Sequence, residues 1–144
     1  MRHLITEQDK AFRRAFESGQ FPLESFDHRA HLRLAYIYCC TVTTEEAHQQ
    51  MRRALHSFLK YNNIDSSKYH ETITRAWIMA IRHFIERTKL STSADDFIDQ
   101  HPQLMNPDIM LSHYSQELLF SDAARETFVA PDKERIPRYT GVVG

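Results

Sequence analysis

Apolar side chains recur at three- and four-residue intervals along most of this chain, and that period specifies helices. The clearest run is Ala47, Met51, Ala54, Leu55, Phe58 and Leu59, with Arg52, Arg53 and Lys60 facing water. A second run, Tyr69, Ile73, Ala76, Trp77, Ala80, Ile81 and Phe84, predicts a helix from about Ser67 to Thr88. At about 20 residues such a helix is near 30 Å long, enough to cross a small domain. From Ser25 or Asp27 to about Cys40, Leu32, Ala35, Tyr36, Cys39 and Cys40 keep helical spacing. Leu34, Ile37 and Tyr38 make its other faces apolar too, so this helix is expected at the centre. Ala11, Phe12, Ala15 and Phe16 mark a helix before it.

The ends of these helices are written locally. Thr6 with Asp9, and Thr43 with Glu46, stand three apart as a capping box requires. Gly19 suits the position just beyond a helix. Ser93 opens a fifth, short helix that ends before Pro102. Asn106-Pro107-Asp108 places a capping side chain ahead of a proline, and Ser121 caps a last short helix to about Phe128. Only three glycines and five prolines occur in 144 residues, too few for an all-β domain with many tight turns. The expected fold is all-α: one domain over residues 1–144, an up-down helical bundle of about four main helices, with short C-terminal helices closing one end. From about Pro131 the apolar period stops and an irregular tail is expected.

Eighteen basic and nineteen acidic residues are spread without a basic block, which argues against a nucleic-acid binder. No stretch approaches the ~18 apolar residues of a membrane span, and the first ten residues lack the apolar core of a signal peptide. Cys39 and Cys40 are adjacent. On a helix they point about 100° apart, so no ordinary disulfide joins them, and a reducing cytoplasm is the expected compartment.

The residues that could carry chemistry are histidines. His28 and His31 are three apart and share a helix face, so two imidazoles could hold one metal ion. With nine histidines in the chain the spacing alone has little weight. His70, at the start of the long helix, is the candidate third ligand. The divalent ions that imidazole-rich sites take are iron, zinc, manganese or copper. Glu71 is the candidate catalytic residue, as general base or as a carboxylate orienting a ligating imidazole. The structural alternative is an acid facing the positive end of a helix. Thr74 and Trp77 share a face with His70, and with Tyr114 and Arg125 they are the candidate binding residues, Arg125 as an anion clamp. His113 is either a further ligand or an imidazole at a helix end. His3, His48, His56, His83 and His101 are expected to face solvent.

The segments Phe26-Asp27-His28-Arg29-Ala30-His31-Leu32 and Tyr69-His70-Glu71-Thr72-Ile73-Thr74 carry a wider likeness. With Tyr114 to Arg125 and Val129-Ala130-Pro131-Asp132, the chain resembles a family of small uncharacterised bacterial proteins with F-x-H-x-x-H-L and Y-H-E-T-I-T motifs. The resemblance runs from about Phe26 to Asp132. It implies that His28, His31, His70 and Glu71 belong to one shared design, and it implies no reaction.

Two functional readings follow. One is a metal-dependent or acid–base enzyme acting on a small metabolite. The other is a non-catalytic helical module that binds a ligand or a partner.

Overall fold

The structure is a computed structural model and describes residues 3–136. Side-chain caps set its helix ends. In α1 (Glu7–Glu17) the Asp9 N–H donates to Thr6 Oγ1 and the Thr6 N–H to Asp9 Oδ2, both at 3.0 Å. Asp27 caps α2 (His28–Thr41) by accepting the Ala30 N–H at 2.8 Å. The Thr43–Glu46 box opens α3 (Thr44–Tyr61). Gly19 follows α1 with φ +80°, and a Cβ there would stand 2.4 Å from the Tyr61 ring.

The long fourth helix starts later than its apolar period predicts. Residues Ser66–Lys68 form a separate 3-10 turn capped by Asp65, and α4 spans Glu71–Arg87 with His70 as its N-cap. The His70 backbone is extended (φ −126°, ψ 107°), and its imidazole Nδ1 accepts the Ile73 N–H at 3.1 Å. A ring nitrogen thus takes the place of the usual capping oxygen, which the period of the apolar residues does not register.

Helix α5 (Ala94–Gln100) is capped by Ser93. Asn106 caps Pro107–Ser112 as expected, but that segment winds as a 3-10 turn. Helices α6 (Gln116–Leu119) and α7 (Asp122–Glu126) are short, each opened by a serine.

Helix α2 is the centre. Leu32, Leu34, Ala35, Tyr36, Ile37 and Tyr38 are fully enclosed on all its faces. It packs against α1, α3, α4 and α5, while α7 lies on α4. Only Val42 and Thr43 separate α2 from α3, so α3 returns beside it. Phe16 stacks on Phe58 at 4.4 Å, locking α1 to α3. The buried carboxylate of Asp9 accepts from Thr6 N–H, Arg33 Nε at 3.0 Å and Ala94 N–H at 3.1 Å, joining α1 to α2 and α5.

Residues 131–136 are irregular, as expected, and are tied down. Asp132 accepts the Ser115 N–H at 2.8 Å and its hydroxyl at 2.7 Å, and the Lys133 N–H donates to the His113 carbonyl at 2.9 Å. The rest of the expected tail, 137–144, lies outside the described residues. Among the described residues there is no strand beyond an isolated His3–Ser91 bridge, and no helix is long and apolar enough to cross a membrane.

Candidate functional site

Two of the histidines singled out in the sequence, His28 and His70, are held by hydrogen bonds to distant carbonyls. His28 Nε2 donates to the Leu104 carbonyl at 2.8 Å, and the ring stands edge-on to Trp77 at 4.9 Å. A carbonyl only accepts, so Nε2 carries the proton. His31, one turn later, lies near the Phe26 ring. Burial, and then the neighbouring His28, push its pKa down to about 4. His70 uses both ring nitrogens: Nδ1 accepts from Ile73, and Nε2 donates to the Leu119 carbonyl at 2.7 Å. Its one lone pair is committed to capping α4, and burial lowers its pKa against the opposing effect of the Leu119 bond. Among the described residues no group of three or more His, Cys, Asp or Glu side chains is gathered to hold a metal ion. Every residue of those four types in the sequence falls within 3–136.

The candidate binding residues also divide. Thr74 donates to the His70 carbonyl at 2.8 Å. Trp77 is buried against His28. Tyr114 is fully enclosed, with its hydroxyl donating to the Val129 carbonyl at 2.7 Å. His113 is tied through Nδ1 to the Glu134 carbonyl at 2.9 Å.

Glu71 and Arg125, by contrast, line one cavity. It holds about 750 Å³ between α3, the segment 66–71 and α7, with Arg52, His56, Tyr69 and Asp122 in its walls. Glu71 is the first residue of α4 and is buried. Arg52 grips its carboxylate with two donors, Nε reaching Oε1 at 3.1 Å and Nη2 reaching Oε2. The Tyr69 hydroxyl donates to Oε1 at 2.6 Å. Behind them, buried His48 places Nε2 3.2 Å from Glu71 Oε2. Its Nδ1 accepts from Arg75 at 3.3 Å, which leaves the proton on Nε2, facing Glu71. That nitrogen is close enough to attract the carboxylate but is poorly aligned for a hydrogen bond.

Burial alone would raise the Glu71 pKa. The donors of Arg52 and Tyr69 and the nearby His48 outweigh it and hold the carboxyl below its ordinary value. Burial, followed by the Glu71 hydrogen bond, pushes the Tyr69 phenol well up. Burial pushes His48 down despite its acidic neighbour. The result is an ionised, fully engaged carboxylate beside neutral Tyr69 and neutral His48. On the mouth side, His56 lies over the Tyr69 ring at 4.2 Å. Arg125 donates only to the Ser67 carbonyl, at 3.4 Å, and has no carboxylate partner among the described residues.

Comparison of the chain with protein families, curated proteins and solved structures gives no match. The site therefore stands on its own geometry.

Three of its members escaped the sequence reading. Arg52 and His56 are exposed, as expected, yet line the cavity, and His48, expected outside, is buried beneath Glu71. The signal was available as spacing. His48, Arg52 and His56 recur every four residues, a polar stripe along one side of α3, and Arg75 stands four residues after Glu71. His83 and His101 are half-buried rather than exposed, and His101 Nε2 meets the Thr88 hydroxyl at 2.5 Å.

Proposed function

We propose that this protein is a ligand-binding helical module whose site is the cleft bounded by Arg52, Tyr69, Glu71 and Arg125. Its ligand is a small carboxylate that also carries an amino or hydroxyl donor. The observation that carries this reading is the Arg125 guanidinium, set in a cavity of about 750 Å³ and in no ion pair among the described residues. A planar guanidinium in that position takes a carboxylate through paired N–H donors. Asp122 and Glu126 in the same wall would accept the ligand's donor group, and His56 and Tyr69 would supply an aromatic side. Glu71 serves by fixing Arg52 and Tyr69. A carboxylate held ionised by three neighbours is poorly matched to general-base work near pH 7, which favours binding over acid–base catalysis.

The test is calorimetric titration of the full chain with a panel of amino acids and hydroxycarboxylates. Binding should weaken at least about tenfold in Arg125→Ala, the effect of losing a charge-assisted contact. No binder in the panel, or a binder indifferent to Arg125→Ala, would sink the reading.

A metal-dependent enzyme is the second reading, favoured by one observation. His28 Nδ1 and the His31 ring make no hydrogen bond among the described residues, so two adjacent imidazoles keep lone pairs open. Iron, zinc, manganese or copper would sit on that pair and complete its shell with water or substrate. Elemental analysis of tag-free protein, beside a His28→Ala/His31→Ala variant, decides it. Near-stoichiometric metal lost in the variant supports it, and metal absent after reconstitution with each ion ends it.

A further inference from the structure

His48 is buried, and its two ring nitrogens meet two different parts of the cleft wall. Nε2 stands 3.2 Å from Glu71 Oε2, and Glu71 is the residue that Arg52 and Tyr69 grip. Nδ1 accepts from Arg75 Nη1 at 3.3 Å. Arg75 in turn holds its guanidinium over the Phe128 ring at 5.2 Å, and Phe128 lines the cavity. One imidazole on α3 therefore connects to the cleft through Glu71 on one side and through Arg75 and Phe128 on the other.

The charged groups that face His48 are Glu45 and Arg52 from its own helix and Glu71 and Arg75 from α4, while Tyr69 of the segment 66–71 reaches Glu71. Their arrangement suits a neutral ring. A guanidinium only donates, so the contact with Arg75 needs the Nδ1 lone pair. A second proton on the ring takes that lone pair and sets two positively charged donors face to face at 3.3 Å. Arg75 has another partner at hand, because its Nη2 already lies 3.3 Å from Glu45 Oε1. The imidazolium is drawn the other way, toward Glu71 Oε2, where Nε2 makes no aligned hydrogen bond in the neutral arrangement. The Arg75 side chain is 31% exposed, so the path from water to Nδ1 is short.

We propose that His48 is a proton switch for the cleft: protonation of Nδ1 expels Arg75 from the imidazole, shifts it toward Glu45 and loosens the Phe128 wall. Burial lowers the His48 pKa, so the switch works on the acid side of 6.5. Glu71 is held below its ordinary 4.5 and keeps its charge above that pH. The effect on a ligand, weaker binding in acid, rests on the binding function proposed for the cleft, whereas the switch itself does not.

The experiment follows the ligand-free full chain, labelled with 15N and 13C, by NMR from pH 8 to pH 4.5. At pH 8 the His48 ring should be the Nε2–H tautomer. On acidification it should gain one proton below pH 6.5. The Arg75 side-chain N–H and Phe128 ring signals should move with the same midpoint, while the Glu71 carboxyl signal stays that of a carboxylate. Arg75→Gln removes a neighbouring cation and should raise the His48 midpoint by about half a pH unit, leaving the Phe128 ring unresponsive to it. An Nδ1–H tautomer at pH 8 would overturn the proposal. So would a ring that stays neutral until the chain unfolds, or Arg75 and Phe128 signals that ignore the His48 transition. No ligand enters the test, so a failed search for a cleft ligand leaves the switch standing.

Discussion

His70 and Leu119 are joined across the bundle: the imidazole Nε2 donates to the Leu119 carbonyl at 2.7 Å while Nδ1 caps α4. One side chain thus ends a helix and anchors the close of α6. His70→Ala removes a cap and leaves a carbonyl of the largely buried Leu119 unpaired. We expect a loss of about 2 kcal/mol in urea unfolding. His70→Asn, which keeps capping ability, should lose about half as much. Equal losses would show that the Leu119 bond, and not the cap, accounts for the stability.

The Arg52–Glu71 pair sits at the edge of the cleft, with the guanidinium half exposed and the carboxylate buried. Arg52→Ala should cost about 1 kcal/mol, at the low end for an orphaned charge because water reaches the site. Its sharper signature is a rise in the Glu71 pKa, tracked by 13C titration of the carboxyl. An unmoved titration would mean that Tyr69 and His48 suffice to hold the charge.

Acid sensitivity follows from the buried imidazoles. His31, His48, His70, His83 and His101 all have pKa values lowered chiefly by burial. An unfolded chain then binds more protons than the folded one, so stability is complete above the ordinary value of 6.5 and falls as the pH drops below it. For His31 the loss continues down to its folded pKa of about 4. Urea midpoints measured from pH 8 to pH 4 should decline on the acid side, and less steeply in His31→Gln. A flat profile would contradict this account.

Tyr114 and the tail form one structural clasp. Tyr114→Phe leaves the Val129 carbonyl without its donor and should cost about 1 kcal/mol. Asp132→Asn should loosen the Ser115 contact, speeding hydrogen exchange at the Lys133 amide, which is bonded to the His113 carbonyl. Cleft-ligand binding should survive both changes, since neither residue lines the cavity.

Gly19 is a check on the local reading. Its φ of +80° and the close Tyr61 ring both oppose a Cβ, so Gly19→Ala should lose more than about 1 kcal/mol. Adding Tyr61→Ala should recover the steric part and leave the conformational part.

Local spacing alone specified the main helices, the central place of α2 and the caps at Thr6, Thr43, Ser93, Asn106 and Ser121, but not those at His70 and Ser115. Those properties depend on residues three or four positions apart, such as Thr6 with Asp9 or Thr43 with Glu46, whose geometry a single helical turn imposes. It could not determine which groups meet. His28 finds its acceptor 76 residues away, His70 finds its own 49 residues away, and Arg52 finds Glu71 across 19. Spacing placed His28, His31 and His70 near helix starts, and tertiary packing then paired His28 and His70 with carbonyls. The same packing paired Arg52, exposed as expected, with Glu71, and buried His48, expected outside, beneath that carboxylate. A polar side chain is drawn to whatever partner burial leaves it, and only the folded chain decides which partner that is.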